Sequence, residues 1–214
     1  IVTDFTRSEN ATTVWTLRYG LIYSNFTRDA MAPFDLTTLG FPEYMKKNAN
    51  YLVFPTIGPE GYTDIGTEGW VIMDRQEGAH QVSGSLTKFI GSHTLKAGGE
   101  MRQNFLDYLQ PGYPSGQVSF SSQVTRQLQN TGNNLQGNGL ATMLLGWGTG
   151  GQFHIDPKVF TRSRYMGYYI QDDWKLNRKL TINLGLRYEF DVPRWETLNR
   201  QSYWDLDQKS PISV

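Results

Sequence analysis

Apolar and polar residues alternate without a break over residues 180–190. Leu180, Ile182, Leu184, Leu186, Tyr188 and Phe190 are apolar or aromatic, while Thr181, Asn183, Gly185, Arg187 and Glu189 are small or polar. A period of two marks a strand with one greasy and one wet face. The preceding stretch, 163–175, has strand composition but weaker phase. Tyr168, Ile170 and Trp174 fall on one parity and Tyr169, Gln171 and Asp173 on the other, so alternation leaves its faces unassigned. Leu176, Asn177, Arg178 and Lys179 lie between the two stretches as a short polar turn, which predicts an antiparallel hairpin.

The same unit recurs upstream. In 12–26, Trp15, Leu17, Tyr19, Leu21 and Tyr23 share one parity and Thr16, Arg18, Gly20 and Ser24 the other, with Val14 and Ile22 as exceptions. At about 3.3 Å per residue this strand is roughly 50 Å long, far beyond the usual five or six residues. In 94–107, Leu95, Ala97, Gly99 and Met101 alternate with Thr94, Lys96, Gly98, Glu100 and Arg102; in 80–90 the parity is mixed; 1–7 reads as the tail of a strand. The pattern predicts an all-β chain: an antiparallel up-and-down segment of about six strands at 1–7, 12–26, 80–90, 94–107, 163–175 and 179–190. Long irregular loops cover 27–74, 108–161 and 191–214. A short helix is expected near 138–145, with Asn138 as its N-cap and Gly146 as its stop.

Connections alternate between short (8–11, 91–93, 176–179) and long. In an up-and-down sheet all short turns then lie at one end and all long loops at the other, the asymmetry of an outer-membrane barrel with short periplasmic turns and long extracellular loops. Alternation alone fits the core of a soluble sandwich equally well. Strand length, loop asymmetry and the placement of Trp15, Tyr168, Tyr169, Trp174, Tyr188, Phe190 and Trp195 near strand ends favour the membrane, whose interfaces attract Tyr and Trp. The rival reading is a soluble or surface-displayed β-sheet binding module, an adhesin or a carbohydrate-binding domain.

Composition narrows the function classes. The 214 residues carry 20 Lys plus Arg and 20 Asp plus Glu, so no net field argues for nucleic acid. The absence of cysteine excludes a disulfide scaffold, a thiolate metal site and a Cys nucleophile. With 22 Gly and 14% aromatics the chain is turn-rich and β-prone. No apolar run approaches the roughly 18 residues of a membrane helix, a limit that does not apply to barrel strands. No signal peptide opens the sequence and its last residues read as loop, so it is expected to be a segment of a longer chain.

Candidate chemistry is sparse. Arg18, Lys96, Glu100, Arg102, Arg187 and Glu189 lie on the polar parity and are expected to face a lumen. Asp172 and Asp173 are adjacent, so on a strand they point to opposite faces and cannot share a proton. His80, His93 and His154 have no metal-ligand spacing, and Gly146 to Gly151, GWGTGG, lacks the lysine of a phosphate loop. The Asn10-Ala11-Thr12 and Asn25-Phe26-Thr27 sequons are expected to be unmodified. No catalytic, cofactor or metal site is predicted. Loop aromatics, chiefly Tyr113, Phe120, Trp147 and Phe153, are the candidate ligand contacts, because rigid strands present variable surface in such loops.

Several motifs carry a family resemblance. The hairpin RYMGYYIQDDWKLNRKLTINLGLRYEFDVP resembles a strand pair of TonB-dependent outer-membrane receptors, particularly the Oar-like group with a carboxypeptidase-regulatory-like domain. SHTLKAGGEMR is similar to another of their strands, QVSFSSQ and NGLATMLLGW to one loop, and FDLTTLGFP (34–42) to an earlier one. The resemblance implies part of a barrel of about 22 strands in the bacterial outer membrane, occluded by a plug domain of the same full-length chain. It also implies uptake of a scarce or bulky substrate, energised by TonB through a region outside this sequence.

Overall fold

The computed structural model describes residues 1–29, 32–127, 137–202 and 207. In chain order the strands are β1 (Val2–Asn10), β2 (Thr13–Arg28), β3 (Thr56–Pro59), β4 (Met73–Ile90), β5 (His93–Leu109), β6 (Gln117–Phe120), β7 (Gly150–Gln152), β8 (Val159–Lys175) and β9 (Thr181–Glu196). Two short helices, α1 (Glu43–Asn48) and α2 (Gly139–Leu144), lie in the long connections.

The chain divides into two compact units. One comprises Ile1–Ser24, Gln76–Asp107 and Val159–Val214, and the other Asn25–Arg75 and Tyr108–Lys158. The first contains most of a six-stranded sheet with order β1-β2-β4-β5-β8-β9, each strand beside its predecessor in the meander. The sheet is open, with β1 and β9 as its edges. β1 pairs antiparallel with β2, Val2 opposite Gly20 through Ser8 opposite Val14, and β8 with β9, Met166 opposite Phe190 through Lys175 opposite Thr181. Two residues close each of the β1–β2 and β4–β5 hairpins, and Gly91 takes φ +59° in the second, a left-handed turn position suited to a residue without a Cβ.

The six strands correspond to the six alternating segments but run longer. β4 starts at Met73, inside the expected loop 27–74, where mixed parity hid it; β8 starts at Val159, and β9 continues to Glu196 rather than stopping at 190. β1 continues to Asn10, so its turn is tighter than the expected 8–11.

The second unit holds the buried core. Leu36, Val53 and Ile72 are the buried hydrophobic residues among those described, and all three lie in it. Its framework is a small three-stranded sheet in which β3 pairs parallel with β6, Thr56 opposite Gln117, and β6 antiparallel with β7. α2 forms where expected: the Asn138 side chain accepts from the Ala141 amide as N-cap, and Gly146 turns the chain at φ +70°. Glu60 joins these pieces by accepting at one oxygen from the Ser122 amide (2.6 Å) and from the Ser121 and Ser122 hydroxyls (2.9 Å each). These donors hold its carboxyl below the usual glutamate range, the Ser122 amide contributing most.

Candidate functional site

Residues directly opposite each other in a sheet share a face, so the registers assign both faces of the large sheet. On one face Asp4 is ion-paired with Arg18, and the Thr16 hydroxyl lies 2.9 Å from that of Ser85. Arg187 continues this face, donating to Glu100 and Glu189 at 2.9 Å each and to the Tyr165 hydroxyl at 2.8 Å; that hydroxyl donates to Glu189 at 2.6 Å. Lys96 lies 6.0 Å from the Tyr169 ring centre and Arg102 lies 5.1 Å from that of Tyr165. All six charges singled out from the sequence, Arg18, Lys96, Glu100, Arg102, Arg187 and Glu189, therefore share one polar face, and four of them are already paired.

Between the two ion-paired groups this face forms a groove of about 490 Å³, lined by Asp4, Thr6, Thr16, Arg18, Ser83, Ser85, Glu100, Tyr169 and Arg187 among others. A Cβ on Gly98 would lie 2.6 Å from the Gly84 carbonyl oxygen and 2.7 Å from the Tyr169 hydroxyl, closer than a Cβ can pack.

The opposite face is apolar. Tyr168 opposes Tyr188, Ile170 opposes Leu186 and Trp174 opposes Ile182, which assigns the stretch that alternation left open: Tyr168, Ile170 and Trp174 lie with Leu184 and Leu186, whereas Tyr169, Gln171 and Asp173 lie on the polar face. Tyr169 consequently does not belong with the outward aromatics, as its place near a strand end suggested. Phe5, Ile170, Leu184 and Leu186 keep more than half of their surface exposed, Leu186 as much as 72%. Each such side chain gains about 1.5–3 kcal/mol when fully removed from water. A single-layer sheet offers it no protein to pack against, whereas hydrocarbon does.

Asp172 and Asp173 separate to opposite faces, as adjacency required. Asp172 accepts from His93 at 2.7 Å on the apolar side, where the His93 ring stacks on Trp174 with centroids 5.3 Å apart. Asp173 accepts from Gln171 at 3.0 Å on the polar side. Among the described residues no group of three or more His, Cys, Asp or Glu is arranged to hold a metal ion.

In the second unit the loop aromatics divide by exposure. Tyr113 is half-buried and meets the His154 ring edge-on at 5.8 Å; a Cβ on Gly69 would fall 2.8 Å from the Tyr113 ring, so the loop closes tightly around it. Phe120 ends β6 opposite Pro59, and Phe153 packs beside Gly116. Trp147, after α2, is 66% exposed, and Leu144 and Leu145 beside it are more exposed still. The structure therefore brings the lumen candidates together, and of the four loop candidates it leaves Trp147 exposed while Tyr113, Phe120 and Phe153 are half-buried.

The family model of an outer membrane beta barrel domain matches residues 1–214, the whole sequence. Searches of curated proteins and of solved structures each found no match. The match sets aside the soluble-module reading, and with it an unprotected apolar face: between Arg164 and Val192 the even-numbered residues of β8 and β9 form the apolar face, which meets lipid, and the odd-numbered ones the polar face. Long antiparallel strands with one greasy and one polar face, and a family match from the first residue to the last, place the chain in the bacterial outer membrane as a member of the outer membrane beta barrel domain family.

Proposed function

We propose that this chain forms part of the wall of a TonB-dependent receptor, of the Oar-like type its motifs resemble, that takes up a scarce or bulky substrate. The observation that supports this most is the inner face. A water-filled pore needs only hydrated side chains, whereas four of the six charges singled out on this face lie in ion pairs, Arg18 with Asp4 and Glu100 and Glu189 with Arg187. Ion pairing suits an interior filled by a folded plug, because it offsets part of the cost of displacing water from these charges. The short turns between paired strands would then lie on the periplasmic side and the long connections on the extracellular side.

Retention of the full-length receptor on the immobilised periplasmic domain of TonB tests this reading. Binding is expected; no retention, where a known receptor is retained alongside, would refute it. Of the four loop candidates, Trp147 is the most exposed and the best placed to meet a ligand. Trp147→Ala is expected to lower uptake with normal surface expression, and unchanged uptake would remove it from the site.

A further inference from the structure

The register places two arginines on the lipid-facing side of the sheet, near the end from which the long connections leave. Arg164 opposes Val192 and Arg162 opposes Trp195, on the same face as Met166 and Phe190. An arginine on this face is costly at mid-membrane and far less so at the interface. Position along the strand resolves the cost. Trp174 to Arg164 is ten residues on β8, about 34 Å along the strand and roughly 26 Å along the membrane normal at a tilt near 40°. That equals the height of the apolar band, about 25 Å. With Trp174 at one interface, Arg164 lies at the other.

The two arginines are not equivalent. Arg162 is neutralised, donating to Asp107 at 2.6 Å and to the Thr161 carbonyl at 2.8 Å, and it lies 5.7 Å from the Phe105 ring centre. Arg164 donates only from Nε, at 2.8 Å to Gln103 Oε1, and lies 6.0 Å from the Trp195 ring centre. Among the described residues no carboxylate pairs with it. Its terminal Nη groups, a planar fork of donors that matches a phosphate, have no hydrogen-bond partner among the described residues. Gln103 and the Trp195 ring restrain the guanidinium, so little freedom is lost when a ligand binds.

We propose that Arg164, held by Gln103 and Trp195, binds the phosphate group of a lipid in the leaflet nearest the long connections, with the Phe105 and Trp195 rings bordering the same headgroup. The inference uses the assigned faces and membrane location and is independent of how uptake is energised. It makes the upper rim a specific contact for a phosphorylated lipid beyond the general affinity of aromatic belts for interfaces.

The test uses the full-length protein in dodecyl maltoside, a detergent without phosphate, titrated with short-chain phosphatidylglycerol and read by native mass spectrometry. One lipid is expected to bind more tightly than the rest. Arg164→Gln is expected to weaken it about tenfold or more, as loss of a charge-assisted contact does, and Arg164→Lys less. Heat-modifiable gel migration confirms that each variant is folded. Trp195→Phe, which keeps a ring beneath the guanidinium, is expected to retain most of the binding. Equal lipid affinity in wild type and Arg164→Gln would overturn the proposal. So would inorganic phosphate competing at the concentration at which it binds exposed arginine, since the ligand would then not be the lipid.

Discussion

A single methyl group at Gly139 should loosen the second unit. Gly139 opens α2 and lies against the strand that Glu60 anchors: a Cβ there would be 2.6 Å from the Glu60 carbonyl oxygen and 2.8 Å from that of Phe120. Ordinary contact begins near 3.4 Å, so the helix or the strand must move by most of an ångström. Neither obstacle is a flexible side chain. Overpacking of this kind costs about 1–3 kcal/mol, and the displacement also strains the three bonds that Glu60 accepts from Ser121 and Ser122. Hydrogen exchange at the Thr142 and Leu145 amides, which donate to Asn138 and Ala141 at 3.1 Å each, reads the loss directly. At 1–3 kcal/mol, Gly139→Ala should speed their exchange roughly 5- to 150-fold, since each 1.4 kcal/mol is tenfold. The control is Gly150→Ala in β7, where an added Cβ meets nothing within 4 Å and φ is not left-handed; it should leave exchange unchanged. Equal protection in the two variants would refute the packing argument.

Three further outcomes follow from the same geometry. Asn138→Ala removes the α2 cap and should cost about 1 kcal/mol, visible as faster exchange at the Ala141 amide that Asn138 accepts from. Asp35, outside the strands, has its carboxyl held down to about 2 by Lys46 first and then Thr37. A depressed carboxyl stabilises the fold above its unfolded value near 3.9 and loses that contribution as pH falls through about 2. Exchange around α1 should therefore accelerate between about pH 4 and pH 2, and Asp35→Asn should abolish that dependence. Finally, Leu186→Arg should destabilise the assembled barrel by about 2–4 kcal/mol in denaturant-unfolding experiments in lipid vesicles, whereas Asn183→Arg on the polar face should change it little.

The large sheet was legible because lipid on one side and polar interior on the other impose a period of two over many residues, as in β9. β8 resisted for a physical reason. Both its faces carry aromatics, since Tyr165 and Tyr169 join the charge network of the polar face while Tyr168 and Trp174 lie on the apolar face, and Asp172 interrupts the greasy face to pair with His93. Only the register with β9 separates them. The small sheet had no signal: strands of three and four residues are too short for periodicity, and the pairing of Thr56 with Gln117 joins segments far apart in sequence. α2 was visible because its cap is local chemistry, Asn138 before the helix and Gly146 after it. The six charges of the polar face were grouped by parity alone. Arg164 was missed, since a charge on the greasy parity looks like a break in the pattern until its depth is known.

The two-faced sheet is the central claim, and spin-label accessibility along β9 tests it most directly. Single cysteines carrying a nitroxide, at each position of 182–189 in the full-length protein in vesicles, are exposed in turn to oxygen, which partitions into hydrocarbon, and to a water-soluble nickel chelate. Labels at Ile182, Leu184, Leu186 and Tyr188 should respond to oxygen, and those at Asn183, Gly185, Arg187 and Glu189 should not, giving a period of two. A uniform response, or oxygen access at the odd positions, would contradict the account.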